Sequence, residues 1–173
     1  MLSYPAVIAR NVNQTLSDMS PPAVRLDEVG APGHLRGARV LVLFEPTPNG
    51  VAALRRAAEL THAAQAELTV VTLAPQQECT RCCGPSAEPL NSAVRDDAER
   101  DLGAARELVG PAADRTAFKV LVGGCDPPLA AWVTERGFGL VLLPDHRFTL
   151  GGHPSARKLR RATEAEVRLV GDS

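Results

Sequence analysis

From residue 39 onward, short apolar runs alternate with stretches whose apolar residues recur at helical spacing. Arg39 to Phe44 (RVLVLF) is apolar after its first residue, with β-branched Val40 and Val42, which suits a strand buried on both faces. Pro46-Thr47-Pro48-Asn49-Gly50 interrupts it, and a helix is predicted next with Val51, Leu54, Ala58 and Thr61 on one side. Glu67 to Leu73 (ELTVVTL) repeats the strand pattern, and a loop rich in Pro, Cys and Gly follows from Ala74 toward Leu90. Asn91 or Ser92 is the expected cap of a second helix carrying Val94, Ala98, Leu102, Ala105 and Val109 on its apolar face. Gly110-Pro111 ends that helix with a flexible residue and then a breaker.

Arg115 to Val122 contains the third expected strand. Asp126-Pro127 reads as a helix start, a carboxylate to cap followed by a residue with no N–H to leave unpaired. Leu129, Trp132 and Val133 give that helix its buried side, and Gly137 stops it. Gly139 to Leu143 (GLVLL) is the fourth strand, a short basic helix begins near Ser155, and Glu166 to Val170 (EVRLV) is the fifth strand. Strands that alternate with helices need crossover connections, so the expected fold is α/β, a five-stranded parallel sheet with helices on both faces, Rossmann-like. Ligands on such sheets collect beyond the carboxyl ends of the strands, where the strand order reverses.

The first 36 residues lack this regularity. Pro5, Pro21, Pro22 and Pro32 interrupt them, and Val7 to Met19 is the one stretch with a helical side, made of Val7, Ile8, Val12 and Leu16. The expected organisation is an N-terminal extension over 1–36, mobile or docking on a partner, and an α/β domain over 37–173.

Composition narrows the partners. Apolar residues make up 45% and charged residues 23%, enough to bury a core. Nineteen basic against twenty acidic residues leave a net charge of −1, with no basic footprint for nucleic acid. Aromatics at 3% offer few platforms for stacking single-stranded bases. The longest apolar runs are far too short to cross a bilayer, and Met1 to Arg10 lacks the pattern of a secretory signal. A cytoplasmic setting is expected, in which the four cysteines stay reduced.

The chain resembles the universal stress proteins. RVLVLFEPTPNGVAALRRAAEL is similar to that family's opening strand, acidic turn and first helix. FKVLVGGCDPPLAAWVTERGFGLVLLP resembles its strand, Gly-Asp-Pro turn, helix and apolar strand, so the likeness covers Arg39 to Val170. The resemblance implies strand order 3-2-1-4-5, a crevice between strands one and four for ATP or AMP, and homodimers paired through the last strand. Family members that bind ATP carry Gly-x-x-Gly, a spacer, and then Gly-Ser or Gly-Thr after strand four. Those glycines let backbone N–H groups approach the phosphates. This chain has LLPDHRFTLGGHPSARKL there, with Pro144 and Arg147 where the first glycines would stand and Pro154-Ser155 as the match to the final pair. Pro154 has no N–H to donate. Glu45 replaces the family's Asp after strand one, within reach of a ribose hydroxyl, and Leu73 ends strand two where the adenine would lie.

Three further constellations carry chemistry. Gly151-Gly152 forms a candidate substitute anion loop, with Ser155, Arg157, Lys158, Arg160 and Arg161 behind it; the plain alternative is a solvated basic helix. His146 and His153 flank that loop, where solvation is the commoner fate of a histidine. Cys79-Thr80-Arg81-Cys82-Cys83 contains a C-x-x-C, whose two thiolates can reach one tetrahedral ion, and Cys125 lies in a separate turn. With strands two and three adjacent, as the resemblance implies, both segments leave the same sheet edge. Zinc, an iron–sulfur cluster or a redox-switched disulfide would fit four converging thiols; free thiols are the plain alternative. No Gly-x-Ser-x-Gly elbow, His-Glu-x-x-His or Gly-rich loop ending in Lys-Ser or Lys-Thr occurs, so nothing recommends an enzyme. The leading expectation is a divergent dimeric binding or regulatory module with lost or weakened ATP binding. Behind it come a thiol-based metal or redox-responsive protein on the same fold, and a weak nucleotide hydrolase.

Overall fold

The computed structural model describes residues 35–76, 88–123, 126–145 and 154–171. Five strands alternate with helices: β1 (Arg39–Leu43), α1 (Pro48–Ala64), β2 (Glu67–Ala74), α2 (Glu88–Val109), β3 (Thr116–Val122), α3 (Asp126–Arg136), β4 (Leu140–Pro144), α4 (Ala156–Ala162) and β5 (Glu166–Val170). A 3₁₀ turn, Gly110–Arg115, joins α2 to β3. Every strand pair is parallel and the order is β3-β2-β1-β4-β5, as the resemblance implied.

The middle of the sheet explains the unbroken apolar runs. Val40, Leu41, Val42 and Leu43 of β1 and Leu140 to Leu143 of β4 are each at most 1% exposed, because helices cover both faces. Side chains alternate between those faces. Leu41, Leu43, Val71, Val141, Leu143 and Val167 pack with Leu129 and Val133 of α3, Leu159 of α4 and Phe138. The opposite face is covered by α1, which packs on β1, β4 and β5, and by α2, which packs on β2 and β3.

Two expectations about the helices need correction. The buried side of α1 is Gly50, Ala53, Leu54, Ala57, Leu60, Thr61 and Ala64, whereas Val51 and Ala58 are only half-buried. Three alanines and a glycine make that side narrow, and Val51 and Ala58 fall at its margins. The second correction is the start of α2, at Glu88 rather than after Asn91. Pro89 falls in the first turn, where its missing N–H is one the helix cannot use, and the charge of Glu88 suits the positive end of the helix. Gly110 (φ +61°) and Gly137 (φ +65°) end α2 and α3 in the left-handed conformation that glycine adopts without strain. Leu35 is buried, and its carbonyl accepts a hydrogen bond from the Ala38 N–H at 2.9 Å. The expected helix over Val7 to Met19, and the extension as far as residue 34, lie outside the described residues. No described helix is long and apolar enough to cross a membrane.

Candidate functional site: the crevice between β1 and β4

The strand order reverses between β1 and β4, the place where an open α/β sheet parts at its carboxyl edge. The ladder itself shows why the strands part. Pairing of β1 with β4 ends at Val42–Leu142, while pairing of β4 with β5 runs on to Pro144–Val170. The Asp145 N–H donates to the Val170 carbonyl at 2.7 Å, so residue 145 turns its donor toward β5 and residue 144 turns toward β1. The next rung from β4 to β1 would start at the backbone nitrogen of residue 144. Proline supplies no hydrogen for it, and the two strands diverge there.

On the β1 side, the chain passes from Phe44, whose N–H still donates to Val71 of β2 at 2.8 Å, into the Glu45 turn. The Glu45 carbonyl accepts from the Thr47 N–H at 2.8 Å. The Thr47 hydroxyl then caps α1 by accepting from the Gly50 N–H at 3.1 Å, and Pro48 occupies the first helical turn. Gly50 is required by packing. A Cβ there would overlap the Glu45 carbonyl, because the first turn of α1 lies directly on the turn that carries Glu45. The Asn49 side-chain amide donates to the Asp145 carbonyl and ties the start of α1 to the end of β4. Glu45, Asn49 and Asp145 therefore stand together around the parting of β1 and β4.

Asp101 of α2 lies within electrostatic reach of Glu45. Asp101 of α2 has its carboxyl pushed above the usual carboxylate value of 3.8, first by burial, next by Asp97, with Glu45 adding to the rise and Arg100 opposing it. The charge of Glu45 thus reaches Asp101, while Asp97 is paired with Arg100 at 2.6 Å.

Opposite, α4 begins at Ala156 after Pro154 and Ser155. The Ser155 hydroxyl accepts from the Lys158 N–H at 3.4 Å and serves as the helix cap. Only seven residues follow, with Leu159 the one buried anchor. Leu73 lies near the end of β2, partly buried against the cluster formed with α3 and α4. Of the candidate crevice residues, the structure describes Glu45, Leu73 and Ser155; Gly151 and Gly152 lie outside the described residues, as do Arg147, His146 and His153. Cys79, Cys82, Cys83 and Cys125 also lie outside them. Among the described residues, no group of three His, Cys, Asp or Glu is placed to hold a metal ion. Asn49, Gly50 and Asp101 were not singled out from sequence. The Pro-x-Gly at the start of the first helix was the only hint that the backbone comes close there.

No model of a known protein family matches the chain, and no curated protein matches it in sequence. Solved structures do. A universal stress protein family member from Burkholderia pseudomallei is 22% identical, with 78% of this chain and 96% of that one covered at a TM-score of 0.60. A universal stress protein from Lactobacillus plantarum is 17% identical, covering 78% and 98%, also at 0.60. The universal stress protein from Archaeoglobus fulgidus in complex with dAMP is 17% identical over 79% and 98%, at 0.54. The α/β domain of this chain has the fold of the universal stress proteins.

Proposed function

We propose that the protein is a dimeric binding and regulatory module of universal-stress-protein type, whose crevice keeps the base and ribose side and has lost the polyphosphate side. The observation that carries this reading is the pair of prolines at the two ends of the segment joining β4 to α4. Pro154, just before α4, withholds an N–H from the region where a phosphate cradle needs one, and Pro144 stands where the first glycine of that cradle would be sought. A carboxylate after β1 suits a ribose hydroxyl, and the Archaeoglobus fulgidus neighbour holds dAMP, a nucleotide with one phosphate. The module acts through its ligand and its second copy, without turnover, in a cytoplasmic setting.

Titration calorimetry with ATP and AMP, each with and without Mg²⁺, tests the reading. AMP is expected to bind at least as tightly as ATP, and ATP not to reach micromolar affinity. ATP binding in the micromolar range, or more tightly than AMP, overturns the loss of the polyphosphate side. Pro154→Gly alone is expected not to restore ATP binding, since Pro144 and Arg147 remain in place of the first glycines.

The dimer contact we assign is the outer edge of β5. Leu169 is 49% exposed beside that edge, and an edge strand offers backbone groups to another strand. Light scattering on the full chain is expected to report a dimer at micromolar concentration, and a monomer there rejects the assignment.

A further inference from the structure

The outer edge of β5 is not uniform. The Glu166 N–H donates to Gly139 at 3.0 Å and the Val170 carbonyl accepts from Asp145 at 2.7 Å. Glu166, Arg168 and Val170 therefore turn their backbone groups toward β4, and Val167 and Leu169 turn theirs outward. One of these outward acceptors is already engaged. The guanidinium of Arg160, reaching from α4, donates both Nε and an Nη hydrogen to the Val167 carbonyl, at 2.9 and 2.7 Å. A charged, two-point donor is a strong competitor for that oxygen.

We infer that Arg160 is an edge guard: it removes the amino half of β5 from strand pairing and confines self-association to the half around Leu169. The inference rests on the β5 dimer proposed above. Consider two copies of β5 pairing antiparallel about a two-fold axis. A register centred on Val167 draws on both Val167 carbonyls for its central pair of bonds, and it would also set Glu166 opposite Arg168 of the second copy, a favourable match. Arg160 excludes that register. A register centred on Arg168 needs the same carbonyls and places two guanidiniums face to face, which is unfavourable. A register centred on Leu169 keeps its central bonds, sets the two exposed leucines against each other, and leaves Arg168 opposite Val170. The Glu166–Arg168 ion pair at 2.7 Å satisfies both charges within the strand in that arrangement. The guard thus selects an apolar register over a charge-matched one and shortens the edge open to strand addition.

Sedimentation equilibrium on the full chain and three variants tests this, with circular dichroism to verify folding. Arg160→Gln frees the Val167 carbonyls and is expected to tighten the dimer about tenfold or more, as two additional backbone bonds per dimer would. Leu169→Lys, at an exposed position, is expected to weaken the wild-type dimer by at least about tenfold, since two ammonium groups then meet at the axis. The double variant is expected to recover dimerisation, because the register centred on Val167 places residue 169 opposite Ala165. Arg160→Lys keeps a donor and should remain close to wild type. An Arg160→Gln dimer of unchanged or weaker affinity overturns the guard while leaving the β5 dimer standing. A dimer indifferent to Leu169→Lys, or monomers for every variant, overturns the β5 contact and the guard with it.

Discussion

Of the helices that begin at the carboxyl edge of the sheet, the two that follow the crevice strands, α1 after β1 and α4 after the segment that follows β4, are built differently. The start of α1 is over-determined. Thr47 caps it at 3.1 Å, Pro48 presets its first turn, Gly50 presses on the Glu45 carbonyl, and Asn49 bonds across to Asp145. Seventeen residues with a closely packed alanine side then hold it to the sheet. The start of α4 has a longer cap of 3.4 Å, a proline before it, seven residues and a single buried leucine. In a crevice of this kind the first helix start positions the ribose side, and the second is where phosphates would be held. The difference places the firmer local structure on the Glu45 side of the crevice, the side that the proposed function assigns to the ribose.

The contrast can be tested by perturbing each start in turn. The largest effect is expected from Gly50→Ala. The new methyl overlaps backbone, which cannot swing aside as a side chain would, so a loss of about 3 kcal/mol is expected in urea unfolding, at the upper end of overpacking costs. A loss below about 1 kcal/mol would mean that the Glu45 turn yields easily and that the α1 side is not the rigid one. Thr47→Ala removes a well-formed cap and should cost about 1 kcal/mol. Ser155→Ala is expected to cost less, about 0.5 kcal/mol, because its bond is longer and the helix it caps is short. Equal losses for these two variants would erase the comparison.

The smallest effect belongs to Asp101. The folded state raises the affinity of Asp101 for its proton. Its contribution therefore favours folding below the ordinary value of 3.8 and is lost as pH rises through the raised folded value. At neutral pH the ionised carboxyl opposes folding. Asp101→Asn should raise stability at pH 7 by up to about 0.5 kcal/mol, with the gain disappearing near pH 3, as unfolding curves at the two pH values would show. A loss at pH 7 would indicate that the carboxylate is held by a favourable partner.

Much of the frame was legible in the chain. The β5 run Glu166–Val170, the start of a short helix near Ser155, the glycine stops at 110 and 137 and the Asp126 helix start all depend on local chemistry, and each appears where the residues indicated. Strand order needed the family resemblance, because apolar runs alone do not say which strands are neighbours. The early start of α2 was missed because its Asn91 and Ser92 looked like better caps than the Glu88-Pro89 pair that opens it.

What the sequence determined by itself is the alternation of strands and helices, since period and turn chemistry act over a few residues. Tertiary structure decided which backbone groups face which neighbour. Pro144 parts β1 from β4 only because residue 145 turns toward β5, and Arg160 guards an edge only because Val167 turns its carbonyl outward. Gly50 is indispensable because α1 lies on the Glu45 turn, and Asp101 is shifted because the packing of α2 buries it and sets it near other carboxylates, Glu45 among them. Each depends on strand register or on the closeness of packed elements, quantities fixed by contacts between residues far apart in the chain.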